Sequence, residues 1–370
     1  MKKAFILLIG CLLITTCGQK TEKKTVEESE PGPKQWLTFN SGNAEAKHVV
    51  LISGDEEYRS EEALPQLAKI LSTRHGFRCT VLFAQDPSKP GIINANYVKN
   101  IPGLDVLNSA DLMIIFTRFR ALPDEQMEII DNYLKSGKPV IGIRTATHAF
   151  NFDVDSNSSY KHYSNGYEGD KKEWVDGFGR LVLGEKWISH HGHHKHQSTR
   201  GIIAETGKTH PLTNGIEDVD IWGPTDVYGV RLPLPGDSQP IILGEVTERK
   251  GAFDEEDLFY GMRPTDTIPA TKNDKGVLLN DAMMPIAWTK SYQIPDGKKG
   301  KAFTSTIGSA SDMLNEGTRR LLVNSVFWSL DLEVPEKADV TIIGDFKPTA
   351  YEFRDDEYWL KKQLKVEGFN

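Results

Sequence analysis

"HVVLIS" (His48–Ser53) is an unbroken apolar run, and the segments after it decide how it is buried. "SEEALPQLAKILSTRHG" (Ser60–Gly76) is amphipathic, with acids at its start and a glycine stop, and "FRCTVLF" (Phe77–Phe83) is a second apolar run. "ADLMIIFT" (Ala110–Thr117) makes a third. "PDEQMEIIDNYLKSG" (Pro123–Gly137) is a helix with proline at its start and glycine at its end, and "KPVIGI" (Lys138–Ile143) is a fourth run. Short runs with no polar alternation, separated by glycine-stopped helices, predict strands buried on both faces. The expected architecture is α/β: a doubly wound, mostly parallel sheet flanked by helices.

Outward from this block the pattern loosens. "VYGVRL" (Val227–Leu232), "QPIILGEV" (Gln239–Val246), "MPIAWTKSY" (Met284–Tyr292) and "KAFTSTI" (Lys301–Ile307) read as further strands. "EGTRRLLVNSVFWSLDL" (Glu316–Leu332) reads as an amphipathic closing helix. The polar stretch Thr247–Asp281 is expected to be a lid or excursion over the site. One domain spanning 47–335 is expected, with an irregular C-terminal extension over 336–370.

The N-terminus reads as a targeting segment. "MKKAFILLIGCLLITTC" (1–17) has a basic start, an apolar stretch and then a cysteine, the pattern of a secretory signal over 1–16 with a lipidated cysteine after it. Cys11 and Cys17 compete for that role, and Cys17 follows an apolar stretch of better length. Residues 17–46 are charged and apolar-poor through Lys34, and are expected to form a lipidated flexible linker. A lipidated Cys17 leaves Cys79 without a partner, so no internal disulfide is expected. The chain carries 44 basic and 52 acidic residues, a formal charge of -8, which argues against a nucleic-acid surface.

In open α/β sheets, ligands bind beyond the carboxyl ends of the strands. That rule selects "SGDEEYRSEE" (Ser53–Glu62), "TRFRALPDE" (Thr117–Glu125) and "RTATHAF" (Arg144–Phe150). They offer Glu56, Glu57, Tyr58, Arg59, Arg118, Arg120, Arg144 and His148, a set suited to a polyhydroxylated or anionic small molecule. Glu57 and His148 are the candidate catalytic groups; Tyr58, Arg59, Arg118 and Arg144 are the candidate substrate contacts. An arginine directly after a buried strand demands a buried anion or a ligand, because leaving it unpaired costs several kcal/mol.

"WISHHGHHKHQSTRG" (Trp187–Gly201) holds five of the ten histidines. His191 and His193 share a face if the loop is extended; His190 and His194 share one if it is helical. A solvated loop, a site for zinc or another divalent transition metal on His191 and His193, and acid/base work without metal all fit this spacing. The loop is expected to fold toward the strand ends with His191 and His193 closest to Asp226 and His148, since acids there would orient imidazoles.

Several separated motifs resemble the ThuA-like (trehalose-utilisation) family, whose fold is similar to that of class I glutamine amidotransferases. They are "GKPVIGIRTATHAF" (137–150), "THPLTNGI" (209–216), "TDVYGV" (225–230), "MPIAWTKSY" and "TIGSASDMLNEGTRRLLVNSVFWSL" (306–330). The resemblance implies roles in substrate binding for Asp226 and Tyr228, with Thr225 in place of the motif's first acid. Arg144 stands where the amidotransferases place their nucleophilic cysteine, so amidotransferase chemistry is not expected. The family implies a link to sugar breakdown beside sugar oxidoreductases that make keto-sugars. The expectation is a membrane-anchored lipoprotein of the bacterial cell envelope that breaks down a keto-sugar or glycoside. The step would be hydrolysis or elimination by histidine acid/base chemistry, with aromatic support from Tyr58, Trp187 or Trp222. The rival is a non-catalytic glycan-binding lipoprotein.

Overall fold

The computed structural model describes residues 32–370 together with Met1, so the expected signal segment, Cys11 and the expected lipidation at Cys17 lie outside the described residues. The first element falls inside the stretch expected to be linker. Strand β1 (Trp36–Phe39) pairs antiparallel with the later strand Arg78–Phe83 and buries Leu37 against it. The linker expectation through residue 46 is corrected here: "WLTF" is apolar enough to cover an open sheet edge, which would otherwise leave ladder groups unpaired.

Strand β2 (His48–Gly54) leads to helix α1 (Ser60–His75), strand β3 (Arg78–Phe83), strand β4 (Leu112–Thr117), helix α2 (Asp124–Lys135) and strand β5 (Val140–Ile143). Every residue of β2 and β4 is buried. In β2, Val49 and Leu51 join the core beneath α1, while Val50 and Ile52 join the core beneath α2. That division explains why the sequence shows no polar alternation. Each such side chain contributes about 1.5–3 kcal/mol on burial. Helix α1 stops at Gly76, whose left-handed φ of 72° lets the next amide turn back onto Leu71 O.

Strands β6 (Gln197–Ile203), β7 (Trp222–Gly223), β8 (Gln239–Glu248), β9 (Ile268–Pro269), β10 (Met284–Tyr292) and β11 (Gly300–Ser305) complete the strand set, and helices α3 (Glu316–Ser329) and α4 (Asp356–Lys362) come after them. The strands form one sheet in the order β1-β3-β2-β4-β5-β11-β10-β8-β6-β7, with β9 on β8. Four of its ten pairings are parallel, all between β3 and β11. The expectation of a mostly parallel sheet is therefore corrected to a mixed one within an α/β fold. Its physical cause is loop length: residues 293–299 between β10 and β11 are too few for the crossover a parallel pair needs. "VYGVRL" is also not a strand. Its backbone is spent on the histidine loop instead, with Val227 O accepting from the amides of His191 and Gly192 at 2.8 and 3.1 Å.

The remaining segments close over the strand ends. From the 247–281 excursion, Asn273 Nδ2 donates to His191 O at 2.9 Å, and Lys272 O accepts from Gln197. The C-terminal segment runs back across the start of α1, where the amide of Glu352 donates to Glu57 O at 2.9 Å. Cys79 is a buried free thiol within β3. Among the described residues no helix is long and apolar enough to cross a membrane.

Candidate functional site

The site grows out of β5. Arg144, the next residue, has a left-handed φ of 49° and a fully buried side chain. Its guanidinium lies between the rings of Tyr58 and Tyr228, 4.3 and 3.9 Å from their centroids. It donates to Asp226 O at 2.8 Å, to Tyr58 Oη at 3.0 Å and to Asp226 Oδ1 at 3.2 Å. The buried anion that a post-strand arginine demands is Asp226.

Asp226 carries the histidines on its other side. His190 Nδ1 lies 2.8 Å from Oδ2, and His194 Nδ1 lies 2.9 Å from Oδ1. Burial would push the Asp226 carboxyl up, but His190, His194 and Arg144 together hold it well below the usual carboxylate range. An ionised Asp226 can only accept, so both imidazoles present Nδ1–H to it. His194 turns its Nε2 to Glu57 Oε1 at 3.3 Å. Burial opposes its charge, yet the two carboxylates lift its pKa to about 9, so at neutral pH it is an imidazolium between two anions. His190 differs. Its side chain is 31% exposed, and its Nε2 bonds no group among the described residues.

The expectation that His191 and His193 face Asp226 is corrected. The loop is not helical between His190 and His194: His190 is fixed by its bridge to Tyr228. A turn confined to residues 193–197, with the amides of His196 and Gln197 donating to His193 O and Lys195 at a left-handed φ of 63°, brings His194 back to the acid. His191 is buried with its Nε2 unpartnered, and His193 stacks at 4.1 Å on His196, which itself stacks on Phe253 of the excursion. Neither bonds a carboxylate.

The other expected site residues separate into three groups. Tyr58, Arg144, Asp226 and Tyr228 are buried beneath the histidines and form the bed of the site, not its substrate-facing wall. Arg59 is buried too, and donates to the carbonyls of Ala350 and Glu352 while its guanidinium lies 5.5 Å from the Trp359 ring. It ties down the C-terminal segment, which corrects its expected contact with substrate. His148 lies among Phe119, Trp187 and Tyr228 at 4.9, 5.4 and 6.2 Å. Burial, reinforced by the positive charges of Arg118 and Arg144, holds its ring neutral, well below the ordinary histidine range. Among the described residues its side-chain partner is Thr147 Oγ1 at 3.1 Å, and no carboxylate bonds its ring.

At the rim stand Arg118, paired with Glu56, and Trp187, 5.8 Å from His190. Trp222 packs instead against Phe259 at 5.3 Å. Tyr351 escaped the sequence reading of the site, while His190 and His194 entered it only as the pair a helical loop would bring together; the loop joins them through a bridge and a turn instead. Tyr351 stacks on Tyr58 at 5.2 Å and meets His194 edge-on at 5.3 Å, and no local pattern announces it.

The cluster offers two kinds of chemistry. As it stands, Asp226 orients His190 as a proton acceptor, the arrangement in which a carboxylate fixes the tautomer of a catalytic base. His190, His194 and Asp226 also have donor atoms within 4.8 Å of one another, a set that could hold a divalent metal. Two facts weigh against a cation there: Arg144 already places a positive charge 3.2 Å from Oδ1, and both oxygens of Asp226 are occupied. A cleft of about 440 Å³ lined by Asp131, Lys135, Tyr160, His162, Lys171 and Trp174 belongs to the α2 side and shares no residue with this cluster.

No family model matches the chain, and no curated protein matches it. Among solved structures it is similar to a ThuA-like protein from Parabacteroides merdae, at 13% identity over 84% of this chain and 98% of that one, with a TM-score of 0.45. It is also similar to the exo-β-1,4-mannosidase Op5Man5 from Opitutaceae bacterium strain TAV5, at 10% identity over 77% of this chain and 36% of that one, with a TM-score of 0.28. Both likenesses are distant and bear on fold alone; the α/β architecture rests on the strand order itself.

Proposed function

We propose that this chain is a ThuA-like acid/base enzyme of carbohydrate breakdown, held at the bacterial cell envelope by a lipid on Cys17. It would act on a keto-sugar or glycoside by hydrolysis or elimination, in functional partnership with a sugar oxidoreductase. The observation that carries this reading is the His190–Asp226 contact of 2.8 Å, which leaves a partly exposed Nε2 as the unpaired base. In elimination from a keto-sugar, Nε2 takes the proton next to the carbonyl. The C–H electrons become the new C=C bond, and the bond to the leaving oxygen breaks at the adjacent carbon. In hydrolysis the same nitrogen takes a proton from water as the water oxygen bonds the anomeric carbon, the bond from that carbon to the leaving oxygen breaks, and the leaving oxygen takes the proton back from His190. His194 stays charged and keeps Asp226 and Glu57 in register, a positioning role.

A metal-assisted version places the cation on His190, His194 and Asp226, the three groups whose donor atoms converge. The test is turnover of keto-sugar and glycoside panels, with and without prior chelation, by the wild type and His190→Ala. Turnover that chelation spares and His190→Ala abolishes supports the acid/base reading; turnover abolished by chelation supports the metal. Tight glycan binding without turnover moves the chain to the rival class of glycan-binding lipoproteins.

A further inference from the structure

The two arginines after β4 are built differently. Arg120 is fully buried and bonded at all three nitrogens: Nε donates to Arg118 O at 2.6 Å, Nη1 to Ala95 O at 2.8 Å and Nη2 to Glu56 Oε2 at 2.6 Å. Arg118 uses only Nη1, on Glu56 Oε1. Its Nε and Nη2 bond no group among the described residues, and its side chain is 21% exposed. The guanidinium is held flat between two phenyl rings, Phe119 at 4.6 Å and Phe353 at 4.7 Å. A sandwiched guanidinium loses little freedom on binding, and its Nε/Nη2 edge is a two-pronged donor that matches the two oxygens of a carboxylate or phosphoryl group.

Glu56 is one carboxylate shared by two guanidinium groups, so Arg120 already answers part of its charge and leaves the open edge of Arg118 free for an incoming anion. A line of rings connects Arg118 to the proposed base: Arg118 lies over Phe119, Phe119 packs on His148, His148 on Trp187, and Trp187 on His190.

Resting on the reading of this cluster as the substrate site, we propose that Arg118 receives an oxyanion of the substrate, which is an acidic sugar bearing a carboxylate or a phosphoryl group. The two sources share the same donor edge and differ only in the group that fills it.

Isothermal titration of the full chain at low ionic strength, with D-glucuronate, D-glucose 6-phosphate and D-glucose as probes, tests this. At least one anionic sugar is expected to bind roughly tenfold tighter than glucose, and the arm that does so identifies the carboxylate or the phosphoryl group. Arg118→Met is expected to erase the difference, and Arg118→Lys to keep part of it, since an ammonium retains charge without the fork. Phe353→Ala, at an exposed position, removes one face of the sandwich without touching the core and is expected to weaken the preference several-fold. His190→Ala is expected to keep the preference while losing turnover. Equal affinity for all three sugars in the wild type, or a preference that survives Arg118→Met, overturns the assignment. A wild type that turns over sugars without any anionic preference would overturn it while leaving the acid/base reading in place.

Discussion

Tyr351 stacks on Tyr58 at 5.2 Å, and the same ring meets His194 at 5.3 Å. The C-terminal segment is thus a wall of the site. Its hold is spread over several bonds: Arg59 on the carbonyls of Ala350 and Glu352, the Glu352 amide on Glu57 O, and Thr349 on the Glu62 carboxylate at 2.7 Å. Tyr351→Ala is expected to destabilise the protein by about 3–5 kcal/mol, as a fully buried ring replaced by a cavity does. The exposed Phe353→Ala should cost under about 0.5 kcal/mol. Denaturant unfolding of the two variants side by side checks the contrast.

His190→Ala is expected to lower turnover by about 10²–10⁴-fold while leaving the fold intact, because its side chain is partly exposed and only one of its nitrogens is bonded. His193→Ala, which removes a ring stacked on His196 and no carboxylate contact, should leave turnover within about twofold. Equal losses in both variants would refute the assignment of the base.

Asp226→Asn should destabilise by roughly 3–5 kcal/mol, since it strips the buried Arg144 of its counter-ion and gives His194 a neutral neighbour. Calorimetric melting of this variant beside His190→Ala separates the two roles: the first is expected to lose both stability and turnover, the second turnover alone.

Stability should depend on pH through His194. Its pKa is raised in the folded chain to about 9, against an ordinary value of 6.5. A raised pKa contributes stability that is fully present below pH 6.5 and is lost as pH climbs through about 9. The size is about 3 kcal/mol for a shift of that order. His148 works in the opposite direction, because a ring held neutral by burial destabilises the fold as pH falls below its ordinary value. The melting temperature should therefore peak near neutrality. His194→Gln should flatten only the alkaline limb, and an unchanged alkaline limb in that variant would refute the imidazolium assignment.

The parts of the fold that could be read from sequence are those fixed by local burial. β2 and β4 are apolar at every position because helices cover both faces, so period and length alone marked them. The antiparallel half was harder, because pairing direction depends on which strands meet, and "MPIAWTKSY" looks the same in either sense. Val227–Leu232 failed for a related reason: its composition suits a strand, but its carbonyls and amides were claimed by the histidine loop. The switch-point rule picked out the segments that carry Glu57, Arg144 and Arg118, and the histidine loop meets acids there through His190 and His194 rather than through His191 and His193. The choice between His191/His193 and His190/His194 turned on the bridge of His190 to Tyr228 and on the tight turn at residues 193–197, neither of which His–Gly–His spacing determines. Tyr351 depends on a contact between distant parts of the chain, and only the tertiary structure reveals it.

The wall supplied by Tyr351 also makes the far end of the chain a reporter on the site. Arg59 and Glu57 hold that segment through its backbone, so displacing it would uncover Tyr58 and one face of His194 while both imidazoles kept their bonds to Asp226.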